Sequence, residues 1–342
     1  MSAPGTAPYC SFEKLGSADL DGDETLLGVI EHGTGPADVS VIDGRLRAAV
    51  HTTTREDESF AEAWHAEGPK ESGHHAGVAW ARTPDYLLGV ARVPEAGRYA
   101  AGTAAAYTAI FDLTAALGYP TLVRTWNYLS GINTANADDL EVYQDFCVGR
   151  AEALDARGLD PATMPAATGV GAHSGGITCY FLAARHGHRI NVENPAVLTA
   201  HRYPPRYGTR PPIFARATWH APPGPGEGRL FVSATGGILG HETVHRGDIA
   251  GQCEVALANI GRVISGENLG RHGLARHHGL ADLDHLKVYV RHRDDIPVVR
   301  RICADRLARE ATIAVLHTDI ARSDLLVEIE GVVTVPPGKD PR

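Results

Sequence analysis

Two carboxylates two residues apart on an otherwise apolar stretch are the side chains best suited to acid–base chemistry in this chain of 342 residues. "DLLVEIEGVV", residues 324–333, reads as a strand. Alternation along an extended chain puts Leu325, Val327 and Ile329 on one face, and Leu326, Glu328 and Glu330 on the other. That second face either meets water or aims a carboxyl into a pocket, where desolvation favours the neutral form and makes a usable acid. The strand by itself leaves both readings open. Arginines and tyrosines supply the complementary chemistry. In 138–156, read as a helix, Tyr143, Cys147 and Arg150 recur at i, i+4 and i+7 on one face; this fits a polar site or an arginine reaching out of a buried stripe. In "IFARATW" (213–219), Arg216, read mid-strand, shares a face with Phe214 and Thr218 and needs a carboxylate or a bound anion. The proline-stiffened loop 201–212 adds Arg202, Tyr203, Arg206, Tyr207 and Arg210, and suits ligand binding and a solvated surface equally.

Other motifs carry less. "HETVH" (241–245) has the spacing of a zinc-protease helix, but Gly236, Gly237 and Gly240 lie just upstream and the next helix starts near Asp248. A turn is expected, with no metal, and Asp248 of "RGD" reads as a helix cap. "AHSGG" (172–176) approaches a nucleophile elbow, which requires a helix after the serine; the β-branched and aromatic "ITCYFLAAR" that follows reads as a strand, so a hairpin turn is expected. The histidines of "RHGLARHHGL" (271–280) lack helical ligand spacing and read as a solvated loop. No Walker sequence and no GxGxxG after a strand occurs, so no nucleotide cofactor is expected.

The elements that must position these residues read as α+β. Hydrophobic content of 43% and charged content of 21% describe an ordinary globular chain, and a net charge of −9 argues against nucleic acid as a partner. Five scattered cysteines without a CxxC pair point to reduced thiols. "MSAPGTAPYC" lacks the features of a signal peptide, and no apolar run was expected to be long enough to span a membrane. A cytoplasmic monomer is the expectation. Strands are expected at "DVSVI", "GVAWART", "YLLGVARV" and "TLVRTWNYL", with a helix over 99–117 stopped by Gly118 and another capped by Asn136 or Asp138 and stopped by Gly158. In the second half, "GVGA", "GITCYFLAARHGHRINVE", "IFARATW" and "RLFVSAT" read as antiparallel strands, with Pro-rich 221–228 as a hairpin or loop. Helices "IAGQCEVALANIGRVI" and "DDIPVVRRICADRL" follow, alternating with strands "LKVYVR" and "TIAVLH". The repeated grammar suggests two similar units, 1–160 and 161–342, parted by the Gly- and Pro-containing stretch 155–169.

The blocks "RTWNYLSGIN", "EVYQDFCVGRA", "PAATGVGAHSGGITCYFLAAR", "INVENPAVLTAHRYPPRYG", "FARATW", "HRGDIAGQCEVALANIGRVI", "HLKVYVRHRDDI" and "DLLVEIEGVV" together resemble the chorismatases, distant relatives of RidA/YjgF proteins. The likeness spans nearly all of the chain beyond its first eight or so residues. It implies two RidA-like units packed like a RidA trimer within one chain. It also implies a cofactor-free and metal-free site for chorismate, feeding ascomycin- or rapamycin-type polyketide pathways. The resemblance assigns Glu328 as the acid that protonates the enol ether, with Glu330 a satisfied carboxylate. It assigns Arg150 and Arg216 to the substrate carboxylates, assisted by Tyr143 and Tyr207, in a pocket between the halves. Two positions that follow product choice in the family are Ala234 and Ala321 here, and both match the branch forming 3,4-dihydroxycyclohexa-1,5-diene-1-carboxylate. Alternatives are a 3-hydroxybenzoate synthase, a RidA-like imine or enamine deaminase (which needs no doubled chain) and a non-catalytic ligand-binding or scaffold protein.

Overall fold

The computed structural model describes residues 7–17, 22–223 and 227–335; residues 1–6 of the expected leaderless start lie outside them. The chain begins with a helix-free sheet of β1 (Tyr9–Lys14), β2 (Leu26–Gly33), β3 (Asp38–Ile42), β4 (Arg45–His51) and β5 (Phe60–His65). A unit follows with β6 (Glu71–His75), β7 (Val78–Arg82), β8 (Tyr86–Val93), α1 (Ala100–Leu117), β9 (Thr121–Ser130), α2 (Val142–Asp155), β10 (Ala166–Ala172) and β11 (Ile177–Ala184). The last part holds β12 (His188–Val192), β13 (Ala217–Ala221), β14 (Gly228–Gly236), a small hairpin of β15 (Ile238–Leu239) and β16 (Glu242–Thr243), then α3 (Ile249–Ile264), α4 (Gly266–Arg271), β17 (Leu283–Val290), α5 (Ile296–Arg306), β18 (Thr312–His317) and β19 (Val327–Val335).

The two larger sheets share one topology. Their orders are β10-β9-β11-β8-β7-β6 and β18-β17-β19-β14-β13-β12, each with its helix-connected pair parallel. In the first sheet, β4-β2-β5-β1 repeats that order without helices. Helices α1 and α2 cover the outer face of one sheet, and α3 and α5 cover the other. The inner faces of all three sheets meet in a shared core that includes Trp64, Trp126, Tyr128, Tyr180, Phe231 and Tyr289.

Local signals hold where expected. Gly118 adopts φ 78° and Gly158 φ 61° at the ends of their helices. Asp248 caps α3 by accepting from the Gly251 N–H at 3.0 Å, and Pro297 lies in the first turn of α5. "HETVH" falls in the β15–β16 hairpin, so its histidines share no helical face. The 221–228 segment joins β13 to β14, which are antiparallel neighbours, although 224–226 lie outside the described residues.

Several expectations need correction. Helix α2 starts only at Val142, because Asn136 accepts from the N–H groups of Asp138 and Leu140 and organises the preceding loop instead of capping. "GVGA" belongs to β10, which runs parallel to β9 because α2 is the crossover between them. "AHSGG" is therefore no hairpin turn: β9 lies between the strands it connects, and Ser174 Oγ pairs with His51 Nδ1 at 2.8 Å. A split after residue 160 runs through this unit, since β10 and β11 pair with β9 and β8; the sheets change between Ala184 and His188. Arg216 sits in a bend, not mid-strand. Only an isolated bridge holds Ala215, and β13 starts at Ala217. Finally, α1 is long and apolar enough to cross a membrane by length and composition, contrary to expectation, but it packs Tyr107, Ile110, Phe111 and Leu113 into the protein core.

Candidate active site

The two faces of β19 resolve the carboxylate question. Val327, Ile329 and Val333 face α3 and α5, so Glu328 and Glu330 point inward, away from water. Their surroundings then diverge. Glu330 accepts from Arg124 Nη2 at 3.0 Å and Trp126 Nε1 at 2.9 Å, pairs with Lys287 Nζ at 3.0 Å and receives the Thr168 hydroxyl. It is a saturated carboxylate. Lys287 also reaches Glu62 at 2.8 Å. Burial would raise Glu62, but Lys287 and His32 override it and hold the carboxyl at about 2. This ionic knot ties the inner faces of all three sheets together.

Glu328, only 8% exposed, accepts no hydrogen bond at its carboxyl from any described residue. Burial pushes it up to about 7, against the opposing pull of Arg322, Arg216 and Arg291. It lines a cavity of about 290 Å³ with Tyr143, Tyr203, Tyr207, Phe214, Arg216, Ala234, Ala321 and Arg322. A recess of about 40 Å³ shares Tyr143, Phe214, Ala234, Ala321 and Glu328 and adds Asn127, Thr168 and Arg150. Gly236 lies across from Glu328 on β14; a Cβ there would come within 3.1 Å of Leu325 and 3.4 Å of Glu328 Cγ.

Each wall has a local cause. The ladder between β14 and β19 shifts register between Val232 and Thr235, a bulge of the kind that re-aims side chains beside sites, and Ala234 lies in it. Helix α2 approaches α1 so closely that a Cβ on Gly149 would sit 2.0 Å from the Ala100 carbonyl oxygen. That close contact seats Tyr143 and Arg150 on the cavity. Arg150 is 4% exposed; its guanidinium lies 5.0 Å from the Tyr107 ring, and its Nε and Nη2 have no hydrogen-bond partner among the described residues. Arg216, 6% exposed, donates from Nη2 to the Leu198 carbonyl and the Tyr203 hydroxyl, both at 2.8 Å, and its Nε is left free. Among the described residues neither guanidinium forms an ion pair, although the Glu193 carboxyl acts on Arg216 electrostatically. Buried guanidinium groups in this state call for an anion. A larger cleft of about 420 Å³ opens near β1 and β18, but its charged lining of Glu227, Asp284 and Glu310 against Arg229 offers no comparable anion site.

A family profile described as "Chorismatase FkbO/Hyg5-like, N-terminal" matches residues 62–183. A chorismatase of Streptomyces rapamycinicus is 79% identical over 97% of this chain and all of its own length. The chain belongs to the chorismatase family. A chorismatase crystal structure superposes with a TM-score of 0.94 at 70% identity, covering 97% of this chain and all of that one. A 3-hydroxybenzoate synthase of Streptomyces hygroscopicus is 44% identical over 90% of this chain and 91% of its own.

All seven residues singled out for the chorismatase site, Glu328, Tyr143, Arg150, Tyr207, Arg216, Ala234 and Ala321, line the cavity or its recess. Burial holds the Tyr143 hydroxyl well above the ordinary phenol range, so it is a donor at neutral pH. The Tyr207 hydroxyl instead donates to the His241 carbonyl at 2.6 Å and accepts from Arg206 at 2.9 Å, so its proton is already committed to the protein. Arg206 lines the rim but pairs with Glu242; Arg210 pairs with Asp155 at 2.6 Å outside the cavity, and Arg202 is exposed. Arg322, Tyr203 and Gln144 are cavity residues that sequence reasoning did not assign. Arg322 stands next to Ala321 in "DIARSD", and that adjacency was its only signal.

Proposed function

We propose that the protein is a chorismate hydrolase that cleaves the enol ether to pyruvate and 3,4-dihydroxycyclohexa-1,5-diene-1-carboxylate. The observation that carries this reading is Glu328. It is a buried carboxyl pushed up to about 7 that faces a cavity containing unsatisfied guanidinium groups. Protonating the methylene carbon of an enol ether is slow and needs an acid that is still protonated near neutral pH and is well aimed. Glu328 gives its proton to that carbon, and the positive charge spreads over the adjacent carbon and the ether oxygen. Water attacks that carbon, and the resulting hemiketal collapses, releasing pyruvate and the ring diol. Arg150 and Arg216 bind the two substrate carboxylates through their free N–H groups, and Tyr143 donates a further hydrogen bond. The high identity to a chorismatase over the full length supports the reaction class.

The diol is favoured as product because the cavity presents Ala234 and Ala321, two methyl groups, where the resemblance associates glycine and cysteine with aromatisation. Alanine offers no thiol for ring chemistry, and the Ala234 methyl narrows the space for rearrangement. Incubation with chorismate in ¹⁸O-labelled water, with pyruvate coupled to lactate dehydrogenase and ring products separated by chromatography, tests the proposal. Label in pyruvate together with the diol is expected. Dominant 3-hydroxybenzoate would reassign the product, and absence of pyruvate would remove the activity.

A further inference from the structure

Beyond Arg150 and Arg216, the site holds Arg206, which pairs with Glu242, and Arg322. Arg322 lies in the loop between β18 and β19, on the same cavity as Glu328. Its Nη1 donates to the His241 carbonyl at 2.8 Å, and its Nη2 is buried without a hydrogen-bond partner among the described residues. Its guanidinium lies against two neighbouring aromatic rings, 4.0 Å from the Tyr207 ring and 4.8 Å from the Tyr203 ring. Those contacts also give Tyr207, whose own proton is committed, a role in the site.

Neighbouring Arg291 shows the contrast. Its donors go to Asn133, Asp319 and the carbonyls of Leu325, Ile320 and Arg322, so it clamps the loop and has nothing left for the cavity. The groups that act most strongly on Glu328 include Arg322 and Glu330 from the β19 side, Arg216 from the segment before β13 and Arg291 from the end of β17, with Tyr143 from α2 also facing it. Glu141, Asp324 and Arg206 complete the charged lining of the cavity. Of the three arginines acting on Glu328, Arg291 is saturated and Arg216 is assigned to substrate.

We infer that Arg322 is a positioning residue for the acid, stabilising the carboxylate that Glu328 becomes once its proton has moved to the substrate. The inference rests on the reading of Glu328 as the acid. In that step the Glu328 O–H bond breaks and a C–H bond forms at the methylene carbon using the enol ether π electrons. The new carboxylate of Glu328 then joins the two on the substrate in the same cavity, and with Arg150 and Arg216 assigned to the substrate, Arg322 is the arginine left to balance Glu328. Arg322 exchanges no atoms. Its fixed charge makes the ionised acid less costly in a site with little water, so the proton leaves more readily.

The test is the pH–rate profile of Arg322→Gln and Arg322→Lys beside wild type and Glu328→Gln, after melting curves confirm that each variant is folded. Wild-type kcat should fall on the alkaline side as Glu328 ionises. In Arg322→Gln that limb should move up by roughly one pH unit, while kcat on the acid plateau drops about tenfold or more. Arg322→Lys keeps the charge and should return the limb to near its wild-type position; if the Gln variant fails to fold, an unmoved limb with reduced kcat in the Lys variant is the supporting result. A lower plateau with an unmoved limb in Arg322→Gln overturns the inference, as does a rise in KM alone, which would make Arg322 a substrate anchor. An active Glu328→Gln enzyme would instead defeat the acid assignment, and the inference with it.

Discussion

Glu328→Gln should abolish activity and, above neutral pH, stabilise the protein. The folded carboxyl lies at about 7 against an ordinary 4.5, so between those values the native state binds more protons than the unfolded chain. Stability is therefore lost as pH rises through that window. Each tenfold change in proton affinity is worth about 1.4 kcal/mol, so ionised Glu328 destabilises the fold by on the order of 3 kcal/mol above pH 7. Glutamine fills nearly the same volume and never ionises. At pH 8 the variant should melt about 4 °C above wild type for a chain of this size, and at pH 4.5 the two should coincide. Pyruvate release should fall by about two to four orders of magnitude. Thermal melts at both pH values, paired with the coupled pyruvate assay, check both halves. A variant that keeps more than about a tenth of wild-type kcat, or that gains no relative stability between pH 4.5 and 8, would refute the picture of a desolvated acid. Glu330→Gln is the counterpart: it strips Arg124 and Lys287 of a buried partner and should destabilise at both pH values.

Arg216→Ala leaves one substrate carboxylate without its charged partner and should cost roughly 2–4 kcal/mol in kcat/KM; an unchanged value by steady-state kinetics would make Arg216 structural. Lys287→Met leaves Glu62 and Glu330 facing each other in the core and should destabilise by about 3–5 kcal/mol in denaturant titrations. A loss below about 1 kcal/mol would mean that the knot is dispensable. Ala234→Gly with Ala321→Cys should divert part of the flux to 3-hydroxybenzoate, read by chromatography, and a product mixture identical to wild type would remove those positions from product control.

Much of the scaffold was legible because its signals are local. Gly118 and Gly158 end helices through their own backbone freedom, Asp248 caps with its own side chain, and glycines around "HETVH" forbid a helix whatever lies beyond them. The alternation in "DLLVEIEGVV" likewise put both carboxylates on one face before any packing was known. With the family resemblance added, the seven candidate site residues could be named. Tertiary structure decided the rest. Glu328 and Glu330 are equivalent to any pattern of period two, and they differ only because Arg124, Trp126, Thr168 and Lys287 converge on one and leave the other facing a cavity. Helix α2 makes β10 parallel and carries the unit past residue 160, a pairing in space that a strand's composition does not record. Arg216 looked like a mid-strand residue because the bend at its position and the bulge at Ala234 arise from pairing with β14 and β19. Arg322 was missed because its aromatic platform and its bond to His241 come from segments far apart in the chain, and the loop that turns it towards the cavity of nearby Glu328 has no periodic pattern. Propensities and caps are set by neighbours in sequence, whereas desolvation and the partners that saturate a charge are set by neighbours in space, and the chemistry of this site depends on the second kind.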